Sequence, residues 1–260
     1  MRKAKDIIIY SEDRFYAAFP SIVSRPDGEL LVAFRRAPDR RRFGADGTFH
    51  CDPNSYLVLV RSRDLGRTWS QEPELIYAHP FGGSQDPCMV QLDNGSLLLT
   101  SYAWMLLAQE AVEKCTGKTH NVYGNWEFAF IGGYLMRSHD AGRTWEGPIL
   151  PPQIEGRQSA FPELVEPAFN RGAMVQASDG CLYWAVRGAP GTGEAGIDLL
   201  VSETRGDTWE HRGEIAADDE VVFNETSLVE TPAGDLVAFV RTAGFEDHGV
   251  MVRSRDKGRS

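Results

Sequence analysis

The sequence has few cysteines, a deficit of positive charge and no long apolar runs. Its four cysteines (Cys51, Cys88, Cys115 and Cys181) are scattered without metal-ligand spacing, so free structural thiols are expected. His50-Cys51-Asp52 places three potential ligands in a row, but adjacent residues rarely converge on one ion. No metal and no cofactor is therefore expected. The chain has 27 Lys and Arg against 37 Asp and Glu, a formal net charge of −10. An acidic chain repels phosphate backbones, which argues against nucleic acid as a partner. No apolar run approaches the length of a membrane span, so no membrane association is expected. Near the N-terminus only Ile7-Ile8-Ile9-Tyr10 is apolar. That stretch is too short for the apolar segment of a signal peptide and reads as a strand, which makes the cytoplasm the expected location. Sustained helical periodicity is also absent.

What the chain does have is glycine (26), proline (14) and an internal repeat. Ser62-Arg63-Asp64-Leu65-Gly66-Arg67-Thr68-Trp69 returns as Ser138-His139-Asp140-Ala141-Gly142-Arg143-Thr144-Trp145. A degenerate copy runs from Ser202 to Trp209, with Thr204 in place of the Asp, and a fourth occupies Ser254 to Ser260. The Ser and Asp side chains can hydrogen-bond nearby backbone groups, Gly supplies a positive φ, and Trp packs back onto a sheet. The motif is a turn, and points to fold rather than chemistry.

Upstream of each turn lies a hairpin: Phe19 to Arg35, Asp86 to Tyr102, Arg171 to Arg187 and Glu225 to Arg241. Their turns centre on Asp27-Gly28, Asn94-Gly95, Asp179-Gly180 and Ala233-Gly234, three of which are strong hairpin signals. A third apolar strand then leads into each repeat turn. Hairpin, strand, turn and strand make a four-stranded antiparallel blade, so the expected fold is all-β, a β-propeller with about four blades in one domain spanning 1–260. The stretch from Tyr102 to Cys115 reads as a long loop between strands.

Counting from each turn glycine, Phe19, Asp86, Arg171 and Glu225 lie nine residues before, and Arg35, Tyr102, Arg187 and Arg241 seven after. In an antiparallel hairpin these places are neighbours opposite the turn. One propeller face should therefore gather Asp86, Glu225, Arg35, Arg171, Arg187 and Arg241 about the axis, a setting suited to an anionic or polyhydroxylated ligand.

The repeat matches the Asp-box, S-x-D-x-G-x-T-W, and over nearly the whole chain the sequence resembles the sialidase (neuraminidase) superfamily. That resemblance implies a six-bladed propeller carrying an exo-acting glycoside hydrolase, with an arginine triad, an acid/base Asp and a Tyr nucleophile activated by a Glu. By this match Glu225 is the activating Glu and Arg241 a triad arginine. Asp52 is the acid/base, with Asp46 as the alternative, and Asp86 of the Asp86-Pro87 pair lines the pocket. As an Asp before Pro, Asp52 also reads as a turn former. The first family arginine is replaced: Ala17-Ala18-Phe19-Pro20 puts Ala18 in its place, and a methyl group cannot substitute for a guanidinium. Arg35 or Arg36 could compensate from the neighbouring strand. The sugar is then an acidic or neutral terminal residue of a glycan, not sialic acid by default. The chain stops inside its fourth Asp-box, so a truncated piece of a longer protein is expected, with the third arginine and the nucleophilic Tyr beyond residue 260. The alternative function is a non-catalytic carbohydrate-binding or interaction propeller.

Overall fold

A computed structural model describes residues 5–115, 119–122, 126–157, 159–161, 164–188, 196–246 and 248–260. It contains four antiparallel sheets in chain order, a four-blade propeller arrangement. The first blade is β1 (Phe15–Ser24), β2 (Leu30–Pro38), β3 (Tyr56–Ser62) and β4 (Glu74–Tyr77). The second is built on β5 (Gly82–Ser84), β6 (Cys88–Gln91), β7 (Leu97–Leu107), β8 (Thr119–Val122), β9 (Trp126–Ser138) and β10 (Glu146–Ile149). The third comprises β11 (Val175–Gln176), β12 (Leu182–Arg187), β13 (Ile197–Ser202) and β14 (Glu210–Ala216). The fourth holds β15 (Val222–Glu230), β16 (Leu236–Ala243) and β17 (Val250–Ser254).

Strand alternation explains the stacking, because successive side chains point to opposite faces. Leu97 and Leu99 of β7 join Leu31, Ala33, Leu57 and Leu59 of the first blade in one core. Leu98, between them, packs with Leu182, Trp184 and Val186 of the third. On β12 the intervening Tyr183 and Ala185 turn to Leu236, Ala238 and Val240 of the fourth. The apolar runs of the inner strands are continuous because both faces are covered, which is why they do not alternate with polar residues. On the fourth blade the face turned away from the third is open: Phe239 is 52% and Met251 62% exposed.

The repeat turns fold as their side chains require. Ser62 Oγ accepts from Gly66 N (2.8 Å), Asp64 accepts from Thr68 N (2.8 Å) and Thr68 Oγ1 (2.6 Å), and Trp69 Nε1 donates to Gly66 O (3.2 Å). Leu65 and Gly66 are both left-handed. Thr204 replaces the Asp by accepting from Thr208 N through its hydroxyl (2.8 Å), so the degenerate copy keeps the geometry. An arginine next to the end of the third strand ties one blade to the next. Arg61 Nη1 donates to Ala141 O (2.7 Å), and Arg137 Nη2 to Arg205 O (3.0 Å), each carbonyl belonging to the left-handed residue of the following blade's turn.

Two regions differ from the sequence reading. The Tyr102 to Cys115 stretch is not a loop: β7 continues to Leu107, and one helical turn, α1 (Gln109–Val112), follows. The third strand of this blade begins as early as Trp126, so β7 and β9 form a long hairpin. Trp104, Phe128 and Phe130 give it an apolar side that packs on Phe169, and that burial outweighs the turn-like composition around it. In the third blade the inner strand is reduced to β11, because residues ahead of it pair across the blades instead. A Cβ on Gly172 would lie 1.7 Å from Thr226 O, and Asn170 Nδ2 donates to Ala185 O (2.6 Å) and Thr226 O (3.1 Å).

The blade tie and the turn each yield an expectation. Arg61→Met should lower stability to urea by about 1.5–3 kcal/mol, the range for a buried charged hydrogen bond, whereas Arg63→Met on the exposed side of the same turn should lie within about 0.5 kcal/mol of wild type. Asp64 accepts enough donors to pull its carboxyl down to about 2. Its contribution is present above the ordinary carboxylate range and fades as pH falls towards about 2. The gap in Tm between wild type and Asp64→Asn should therefore narrow steadily from about pH 5 to about pH 2. A constant gap would remove Asp64 as the cause.

Candidate functional site

Each inner strand loses its regular pairing at the same level. The ladder shifts between Ala18 and Ser21 in β1 and between Phe223 and Thr226 in β15, and the inner strand of the second blade breaks between β5 and β6. Phe19, Asp86 and Glu225 sit in these irregular steps. A bulge re-aims the side chains at the step, and here Asp86 and Glu225 are turned towards Arg171 of the third blade while Phe19 turns onto Arg35 and His50 of its own.

Arg171 joins three blades. Its Nη1 donates to Glu225 Oε1 (2.8 Å), its Nε stands 3.5 Å from Asp86 Oδ2, and its guanidinium lies over the Tyr102 ring at 5.2 Å. Arg241 Nη1 donates to the same Glu225 oxygen (3.1 Å) from the exposed side. Asp86, Arg171, Glu225 and Arg241 thus form one contact chain. Arg171, Glu225 and Arg241 line an open groove of about 520 Å³ together with Phe239 and Met251. Asp86 lies deeper, 5% exposed, and burial raises its carboxyl above the ordinary range against the pull of Arg171 and Arg35.

Arg35 is paired directly across the hairpin from Ala18, so a guanidinium reaches this level from the partner strand. It is 1% exposed, donates to His50 O and Gln85 Oε1, and is covered by Phe19 at 4.9 Å. Its Nε and Nη2 are buried without a hydrogen-bond partner among the described residues. Phe19 adopts a left-handed φ of 56°, a strained backbone for a bulky residue. Arg36 faces elsewhere, stacked on Phe15 at 3.6 Å and bonded to Glu12.

Asp52 is held differently from the expectation. It is 1% exposed, and Arg40 engages both of its oxygens (2.7 and 3.0 Å) while Asn54 N donates to Oδ1 (2.8 Å). Arg40 reaches it from a 3-10 turn, Arg40–Phe43, that Asp39 caps. Both oxygens of Asp52 are thus committed to its own loop, the turn-forming reading, and it stands outside the Asp86–Arg171–Glu225 contacts. Asp46 is exposed on that loop. Arg187 is separate from the chain through Arg171. Its carbonyl accepts from Arg157, whose Nε donates to the buried Glu166, and burial raises the Glu166 carboxyl.

Two residues passed over in the sequence belong to the centre. Tyr102 donates to Asp86 Oδ2 (3.0 Å). It occupies the same offset as three arginines, and that place in the repeat was the available signal. His50 Nε2 lies 3.3 Å from Tyr102 Oη and its Nδ1 lies 3.3 Å from Arg35 Nη1. Burial, with Arg171 and Arg35 nearby, pushes His50 down to about 3, so the ring is neutral at physiological pH. All four cysteines are free, and burial pushes the Cys51 thiol up to about 11. Among the described residues no group of three His, Cys, Asp or Glu side chains could hold a metal ion, and no helix is long and apolar enough to cross a membrane.

If Arg171 is the charge that makes Asp86 tolerable, Arg171→Met should push the Asp86 carboxyl further up. The loss of stability, about 3 kcal/mol at pH 7 for a broken buried pair, should shrink as pH drops and Asp86 takes up its proton. Urea unfolding of both proteins at pH 7 and pH 4 checks this, and an equal loss at the two values would contradict it.

No protein-family model matches the chain, and no curated protein matches it. Among solved structures, a Dyadobacter fermentans protein of unknown function is 46% identical, with a TM-score of 0.91 over 99% of this chain and 71% of that one. A Streptococcus pneumoniae sialidase is 13% identical, with a TM-score of 0.65 over 98% of this chain and 52% of the sialidase. A family 117 glycoside hydrolase from the marine bacterium Zobellia galactanivorans is 12% identical, with a TM-score of 0.61 over 94% and 67%. This chain therefore spans about half of the sialidase. The two hydrolases share the fold, and the chain belongs to the same family as the Dyadobacter fermentans protein.

Proposed function

We propose that this propeller is a glycoside hydrolase that acts on a terminal, acidic or neutral sugar of a glycan, bound over the groove beside Arg171. The observation that carries the reading is one guanidinium, Arg171, held between two carboxyl groups of different character. Asp86 is buried and its carboxyl is raised by that burial, whereas Glu225 opens to the groove. The two carboxyl groups are brought to one place by their shared contact with Arg171. Divergent environments for two carboxyl groups are the pattern of acid and base assignment.

In this reading Asp86 gives its proton to the departing glycosidic oxygen as the bond to the anomeric carbon breaks. Glu225 accepts the proton of the nucleophile, the role that the sialidase resemblance gives it, in a retaining scheme. Among the described residues its partners are Arg171 and Arg241, and no tyrosine hydroxyl contacts it. Arg241, exposed at the groove mouth, binds the sugar's acidic or hydroxyl groups. Asp52 is left out of the chemistry, because both its oxygens serve Arg40. The binder alternative draws support from the same contacts, since both carboxyl groups have arginine partners.

A panel of aryl glycosides, including uronides and sialosides, tests the reading. Asp86→Asn and Glu225→Gln should each lower kcat at least about 100-fold with the protein still folded. Arg241→Ala should act mainly on KM. Glycan binding by wild type with no turnover of any glycoside would select the non-catalytic alternative.

A further inference from the structure

The contacts around Asp86 are directional. The two hydrogens of Arg35 Nη1 go to His50 O and Gln85 Oε1, but an N–H at His50 Nδ1, 3.3 Å away, would point at the cationic guanidinium, so Nδ1 carries the lone pair. The neutral ring then carries its proton on Nε2, which faces Tyr102 Oη at 3.3 Å. With Oη accepting from Nε2, the Tyr102 proton is directed to Asp86 Oδ2 at 3.0 Å. Arg171 Nε and His50 Nε2 also lie closest to Oδ2, at 3.5 and 3.9 Å. Oδ1 is buried with no hydrogen-bond partner among the described residues. Tyr102, Arg171 and His50 thus all approach Oδ2 most closely, and Oδ1 receives no hydrogen bond among the described residues.

We propose that His50 and Tyr102, with the ring tautomer set by the neighbouring Arg35, form a one-way hydrogen-bond relay that fixes the orientation of Asp86 and directs any proton it takes up to Oδ1. Oδ2 holds the donated hydrogen bonds, so a proton there would meet other protons. Tyr102 itself is not a nucleophile: it is fully buried, burial raises its hydroxyl well above the ordinary value, and its own proton is engaged. Tyr102 and His50 are positioning residues. What the Oδ1 proton does rests on the hydrolase reading above, in which it passes to the glycosidic oxygen while the bonding electrons follow the leaving alcohol. Phe19 is the exposed ring in contact with the relay, 4.9 Å over Arg35 and 5.1 Å from His50.

The test separates the relay from the reaction. Aspartate labelled with carbon-13 at the carboxyl, with the Asp86 signal identified by its absence in Asp86→Asn, gives the Asp86 titration midpoint by NMR without any substrate. Tyr102→Phe removes a donor that favours the charged form, so the midpoint should rise by about half a pH unit or more. His50→Ala weakens that donor and should raise the midpoint less, while His50→Gln should restore part of the difference. An unchanged midpoint in Tyr102→Phe overturns the relay whether or not any glycoside is cleaved. Turnover supplies the second readout. Tyr102→Phe should lose at least about tenfold more on methyl glycosides, whose leaving group needs a proton, than on 2,4-dinitrophenyl glycosides, which need none. Equal losses on both would also overturn it. A shifted midpoint in a protein that cleaves no glycoside leaves the relay standing and removes the hydrolase reading.

Discussion

A blade of this protein is a sheet with two apolar faces, and neither face is tolerable in water. The alternation on β7 and β12 sends adjacent leucines, or a leucine and a tryptophan, to different neighbours. Burial on both sides forces the blades to stack face to face about an axis. The inner strands then start at a common level, and whatever side chains occupy those starts must meet. The chemistry of the centre is a consequence of sheet packing. The polar residues need only stand at the right offset from a turn.

That packing also explains why the central charges are strained. Asp86 lies buried where three blades approach, so its charge depends on a guanidinium from the third blade. Arg171 in turn holds Glu225 of the fourth. A site assembled from three separate stretches of chain forms only after those stretches have docked. Its electrostatics are a tertiary property, and no single blade could hold the pair of carboxyl groups in these states.

Much of this was legible in the sequence. The repeat turn gave the blade unit, the turn glycines gave the offsets, and the offsets placed Asp86, Arg171, Glu225 and Arg241 at neighbouring positions. Asp52 shows where such reasoning ends. A loop residue has no repeat to fix its direction, and its neighbour Arg40, twelve residues away, decided it. His50 was hidden for the same reason, being a loop residue held at the centre through its carbonyl by Arg35. Arg35 illustrates a subtler limit: the substitution at Ala18 reads as a loss until the register shows Arg35 directly across the strand pair. The long hairpin of β7 and β9 was missed because its apolar residues serve Phe169 of another blade, a partner that local pattern does not reveal.

The arginine ties give the ring a directional grammar. Arg61 reaches forward to the turn at Ala141, and Arg137 to the turn at Arg205, so each tie spans from the third strand of one repeat to the corner of its successor. The functional joint is therefore not the blade as a sequence repeat but the overlap between consecutive repeats. A circular permutation that opens the chain in a hairpin turn, such as Asp93–Asn94–Gly95, would leave every such overlap intact. One that opens it within a repeat turn would sever a tie together with the corner it grips. New termini belong at the hairpins.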